Sequence, residues 1–185
     1  MIPATFNYVK ANTIEEAVKL LQESNGEGKV IAGGHSLLPL MKFRITEPEQ
    51  LIDVSSIDAL KGVRLDGDNV IVGAMTTHFE TSTNEIINEH IPVLAEAASV
   101  VGDIQIRNRG TIGGNLAHGD PVADLTAPAL ALEAELKVHT EDGIESIPYD
   151  GFTLGPLITT LPENGVIESV SFKIPPAHTK SVYLK

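Results

Sequence analysis

The chain has 185 residues with 25 acidic against 13 basic ones, a formal charge of −12, 42% hydrophobic residues and no cysteine. That length suits one ordinary domain or two small lobes, able to bury roughly 70% of the unfolded surface without a disulfide or metal staple. The balance excludes disulfides, cysteine-held zinc, iron–sulfur clusters held by this chain and a thiol nucleophile, and it argues against nucleic-acid or anionic-membrane partners. Aromatic residues make up 4%, so the core is expected to be mainly Val, Ile, Leu and Ala.

The opening stretch MIPATFNYVKANTIEEAV has no basic segment leading into an apolar one, and it lacks the roughly 18-residue apolar run of a membrane span. Neither a signal peptide nor a span is expected, and the cytoplasm is the default location. NTIEEAVKLLQESNGEG predicts the first helix: Thr13 and Glu16 have capping-box spacing, Ile14, Ala17, Val18 and Leu21 share a face, and Asn25-Gly26 stops it. A short strand KVIAGG, a short helix in HSLLPLMKFRI with Ser36 as N-cap, and a strand at QLIDVS follow. This order predicts a small α/β lobe with parallel neighbours over residues 1–60.

The texture changes near Lys61, where VRLDGDNVIVGAMTT reads as a hairpin turning at Asp66-Gly67-Asp68-Asn69. A polar helix around FETSTNEIINEH comes next, then PVLAEAASVV with Pro92 as first helical residue and Gly102 closing it. The glycine-rich stretch RNRGTIGGNLAHGDPVAD reads as a loop. Asp124 to about Leu132 is expected to be helical despite Pro128, ELKVHTEDGIESIPY is a hairpin centred on Asp142-Gly143, and GVIESVSFKIP is a last strand. SVYLK looks extended and apolar, like the start of a further element. Residues 61–185 therefore read as a larger α+β lobe.

Two places combine a glycine pair with polar residues: Ala32-Gly33-Gly34-His35-Ser36 and Thr111-Ile112-Gly113-Gly114-Asn115. Glycine permits positive φ and lets a ligand approach backbone N–H groups, and successive free N–H groups form an anion site. For so acidic a chain this is the economical way to hold a phosphate; each pair also suits a plain tight turn. No G-x-G-x-x-G follows a strand and no G-x-x-x-x-G-K-[ST] occurs, which disfavours Rossmann and P-loop folds.

VIAGGHSLLPLMKFRI, then LIDVSSI, then IRNRGTIGGNLAHGDPVADLTAPALALEAEL resembles the FAD-binding medium subunit of the molybdenum hydroxylases, the group of carbon monoxide dehydrogenase and xanthine dehydrogenase. The resemblance runs over essentially the whole chain. It implies a two-lobed α+β FAD-binding fold of the PCMH, vanillyl-alcohol-oxidase-like type: a small parallel lobe and a larger mixed or antiparallel one, with FAD between them. It implies that Ala32, Gly33, Gly34, His35 and Ser36 wrap the pyrophosphate, and that Thr111, Ile112, Gly113, Gly114 and Asn115 approach the pyrophosphate and flavin from the other side. By the same resemblance Asp124 bonds ribose or ribitol hydroxyls and Lys185 lies near the flavin ring. The partners implied are an iron–sulfur small subunit and a molybdopterin large subunit, with NAD, a quinone or oxygen as electron acceptor. Members of the family continue into a C-terminal domain, so a sequence stopping at Lys185 is expected to be a truncated form, a fragment or one part of a split gene. That leaves a scaffold role without FAD as the alternative.

His118, Asp120 and Asp124 can be drawn as the metal site of a hydrolase, but His118-Gly119-Asp120 lacks the helical spacing of H-E-x-x-H. The expectation is that no metal is bound and that His118 and Asp120 brace the loop. Arg107 and Arg109 could meet phosphates, a partner subunit or surface carboxylates. His78, His90, His139 and His178 show no pattern and are expected at the surface or satisfied. Ser36 lies in G-G-H-S, not G-x-S-x-G, so no residue is assigned to covalent catalysis and the chemistry is expected to be the flavin's.

Overall fold

The structure, a computed structural model, describes residues 2–185. Helix α1 (Ile14–Glu23) starts where expected, with the Glu16 N–H donating to Thr13 Oγ1 at 3.1 Å. The Glu16 carboxylate reaches the N–H of Asn12 at 2.7 Å, so the reciprocal arm of the capping box closes one residue early. Ile14, Ala17, Val18 and Leu21 are buried as the stripe predicts, and Asn25 and Gly26 take positive φ of 49° and 88° to end the helix.

Strands β1 (Asn7–Lys10), β2 (Gly28–Ile31) and β3 (Gln50–Asp53) form a sheet in the order β1-β3-β2, parallel throughout. Sequence reading missed β1: its four residues are half-buried or exposed at a sheet edge, too short and too polar to show a period of two. The second helix, α2 (Leu37–Lys42), joins β2 to β3. A 3-10 turn at Asp58–Leu60 ends this part of the chain.

Strands β4 (Val63–Asp66) and β5 (Asn69–Gly73) make the expected hairpin, with Asp66 paired to Asn69. The predicted polar helix is two: α3 (His78–Thr83) and α4 (Glu85–His90). Asn84 breaks them, extended at ψ 131°, its side chain capping the Ile87 N–H. Helix α5 (Pro92–Ser99) begins at Pro92 as predicted. The glycine-rich stretch is part helix and part turn: α6 (Ile104–Arg107) ends at its first residue and α7 (Ile112–His118) lies within it, the latter ended by Gly119 at φ +66°.

Helix α8 (Thr126–Ala131) leads into β6 (Glu135–Thr140) and β7 (Gly143–Pro148), which pair as predicted, the turn centred one residue earlier, at Glu141-Asp142. A small hairpin, β8 (Thr153–Gly155) with β9 (Ile158–Thr159), precedes the last strand, β10 (Val166–Lys173). That strand joins the two large hairpins into one antiparallel sheet, β4-β5-β10-β6-β7. Val70, Val72, Leu136, Val138, Val170 and Phe172 bury one face of it against α5, α7 and α8, forming the larger hydrophobic core.

The smaller core lies between α1 and the parallel sheet, with Val166 of β10 contributing to it. Behind that contact Glu168 bonds His139 at 2.6 Å and Lys137 at 2.9 Å. Among the described residues no helix is long and apolar enough to cross a membrane.

Candidate cofactor site

The turn after β2 brings Gly33 against the backbone of the second glycine segment. A Cβ on Gly33 would collide with the Arg109 carbonyl and lie 2.9 Å from Gly110 Cα. Only glycine permits two main chains to approach this closely. The two motifs therefore meet at one seam, Ala32 facing Gly114.

Their backbones differ. Gly34 sits at φ +75°, and among the described residues no hydrogen bond is made by the N–H of Gly33, Gly34, His35 or Ser36. Ser36 precedes α2 without capping it, so its hydroxyl is also uncommitted. His35, exposed, folds back with Nδ1 3.0 Å from the Gly33 carbonyl.

The second segment uses its donors internally. Ile112 donates to Thr76 O at 3.0 Å, Gly113 to Ala74 O at 2.9 Å, and Gly114 to Thr111 Oγ1 at 3.2 Å, the N-cap of α7. Gly113 must be glycine because a Cβ would lie within 2.9 Å of Ala74 Cα. This packing holds a helix on two residues of low intrinsic propensity, which is why the stretch reads as a loop in sequence. What remains unbonded is the exposed, side-chain-free surface of Gly114 and the Asn115 side-chain amide, whose Oδ1 is buried with no partner among the described residues.

His78 lies beneath the seam and was not singled out by its sequence context. Its N–H donates to Gly110 O at 2.9 Å, and Gly110 packs so closely that a Cβ there would sit 2.8 Å from His78 Cδ2. The side chain is buried and Nδ1 has no partner among the described residues, contrary to the expectation of a surface or satisfied histidine. Burial pushes its pKa down to about 4; Asp124 opposes that shift and His35 adds to it. A signal was present: Thr77 and Glu80 form a full capping box that places His78 in the first turn of α3.

Asp124 has both carboxylate oxygens bonded. Its Oδ1 accepts from Tyr183 Oη at 2.7 Å and its Oδ2 from Lys185 Nζ at 2.8 Å. Lys185 also donates to Val100 O at 3.0 Å, the C-cap of α5. Arg107 serves the same helix end, its guanidinium donating to Val101 O and Gly102 O at 3.1 and 3.0 Å. Two cations at a helix C-terminus are the arrangement the helix dipole favours, so Arg107 braces the fold. Asp120 spends its carboxylate on the Val122 N–H at 3.0 Å. Among the described residues no three His, Asp or Glu side chains are grouped to hold a metal ion, so His118, Asp120 and Asp124 do not converge as a hydrolase would need.

Residues 4–176 match the family described as the FAD binding domain in molybdopterin dehydrogenase. The chain belongs to this family. It is 44% identical over 175 residues to the carbon monoxide dehydrogenase medium chain of Hydrogenophaga pseudoflava, covering 95% of this chain and 60% of that one. It is 31% identical over 183 residues to the xanthine dehydrogenase FAD-binding subunit of Escherichia coli O157:H7, covering 97% and 62%. Among solved structures, carbon monoxide dehydrogenase from Hydrogenophaga pseudoflava superposes with a TM-score of 0.94, covering 96% of this chain and 62% of that one at 44% identity. Quinoline 2-oxidoreductase from Pseudomonas putida 86 gives 0.92 at 30% identity, covering 99% and 67%. The α+β architecture of a small parallel and a larger antiparallel sheet is thus the fold of this FAD-binding family. The chain spans 57% to 64% of the length of the first three curated relatives it matches.

Proposed function

We propose that this chain binds FAD at the seam of its two glycine motifs and serves as the electron-transfer subunit of a molybdenum hydroxylase. In that reading an iron–sulfur subunit delivers electrons, a molybdopterin subunit oxidises the substrate, and NAD, a quinone or oxygen accepts them. Residues 1–60 and 61–185 are the two lobes between which the cofactor lies. Bound FAD supplies the redox chemistry; the protein supplies binding, orientation and electrostatics.

The observation that carries the reading is the contrast at the seam. On one side stand four uncommitted N–H groups and the Ser36 hydroxyl, the donor set a pyrophosphate requires in a chain without a basic surface. Opposite them, the bare surface of Gly114 and the orphaned Asn115 Oδ1 await a ligand donor. Ala32 to Ser36 hold the pyrophosphate, Thr111 to Asn115 form the facing wall, Asp124 accepts from a sugar or ribityl hydroxyl, and Lys185 brings positive charge toward the flavin.

The test is an absorbance spectrum of the purified chain, before and after incubation with FAD, together with quenching of flavin fluorescence. Stoichiometric binding is expected, and Gly114→Val, which would crowd Thr111 Oγ1 from 2.9 Å, is expected to abolish it. A wild-type chain that leaves flavin fluorescence unchanged overturns the reading in favour of a scaffold role.

A further inference from the structure

Residues 181–185 form an extended strap whose side chains alternate. Val182 and Leu184 are 67% and 84% exposed, whereas Tyr183 and Lys185, two residues apart and so on one side of an extended chain, both turn to Asp124. The two inward groups are not equivalent. Lys185 has a side chain 55% exposed on a flexible four-carbon stem. Tyr183 packs its ring against the larger core, and its N–H is pinned to Glu96 Oε2 of α5 at 2.9 Å.

Asp124 is 11% exposed at its side chain and directly precedes Leu125, which is fully buried. A carboxylate has about four lone-pair sites; each oxygen here has accepted one protein donor, leaving capacity for another. Which way the remaining lone pairs face depends on what fixes the side-chain torsion, and the rigid donor is Tyr183. Burial first, then the hydrogen bond to Asp124 and last the Asp124 charge push the hydroxyl up to about 12, so it remains a donor at every working pH.

We propose that Tyr183 is a positioning residue for the cofactor site: its hydroxyl orients the Asp124 carboxylate toward the seam, and through Asp124 it sets the grip on an FAD hydroxyl. This rests on the FAD reading above. Lys185 neutralises the carboxylate and caps α5; Tyr183 aims it.

The experiment is a double-mutant cycle on the 185-residue chain, with FAD affinity read by flavin fluorescence quenching and the bound flavin by visible circular dichroism at saturation. Tyr183→Phe is expected to weaken FAD about tenfold, the size of one hydrogen bond to a charged group, and to alter the dichroism of the saturated complex. In an Asp124→Asn background the same change is expected to alter affinity less than about twofold, because the two residues act as one unit. Glu96→Ala, which frees the strap and leaves the hydroxyl in place, is expected to weaken FAD by about threefold. Wild-type affinity in Tyr183→Phe, or an equal loss in both backgrounds, overturns the positioning role while leaving FAD binding standing. Failure of the wild-type chain to bind FAD overturns both.

Discussion

The two glycine motifs share a composition and differ in what their backbones do. Around Gly33-Gly34 four successive N–H groups are left without partners among the described residues, whereas around Gly113-Gly114 the corresponding groups are bonded to Thr76, Ala74 and Thr111. One motif is a set of donors; the other is a piece of packed helix with a smooth outer surface. A glycine pair therefore does not identify a ligand cradle until its hydrogen bonds have been followed to their partners.

The largest test of this contrast is at the point where the motifs touch. Gly33→Ala would place a Cβ against the Arg109 carbonyl and within 2.9 Å of Gly110 Cα, and backbone cannot yield as a side-chain tip can. Overpacking of this kind costs about 3 kcal/mol at its upper end. Denaturant unfolding should register that loss, and FAD binding should vanish with the seam.

A second test uses the buried ring under the seam. His78 has a folded-state pKa of about 4, below its ordinary value of 6.5, so the unfolded chain binds the extra proton more readily. Its contribution to stability is complete above pH 6.5 and is lost as pH falls toward 4. Between pH 7 and pH 5 this amounts to about 2 kcal/mol. Urea unfolding at the two pH values should show that difference in the wild type. In His78→Gln the slope should shrink by that amount, and an unchanged slope would mean the ring is not buried neutral.

What the sequence disclosed follows the range of the interactions involved. Helix α1, Pro92 at the head of α5, the hairpin at Asp66–Asn69 and, to within one residue of its turn, the β6–β7 hairpin rest on contacts a few residues apart, and these were readable. Helix α7 was hidden because its stability comes from Ala74 and Thr76, far away in the chain, against the propensity of its own glycines. Tyr183 was unreadable for the same reason: its partner lies 59 residues earlier. The resemblance carried the fold and the two motifs, yet neither His78 nor Tyr183 was singled out, since a lone side chain acquires its role only from what folding places beside it.

The smallest effects divide the motifs most cleanly. Thr111 caps α7 through Gly114, whereas Ser36 makes no cap for α2. Thr111→Val should therefore cost about 1 kcal/mol of stability, the ordinary worth of an N-cap. Ser36→Ala should leave stability within about 0.5 kcal/mol. For FAD the order is expected to reverse: Ser36→Ala removes a donor from the proposed pyrophosphate set and should weaken binding by about tenfold, while Thr111→Val should affect FAD only through the position of Gly114. Measured together by thermal unfolding and FAD titration, the two substitutions test whether donors and scaffold are assigned to separate motifs. If Ser36→Ala destabilises the fold and spares FAD, the assignment is inverted, and the first glycine pair is a tight turn after all.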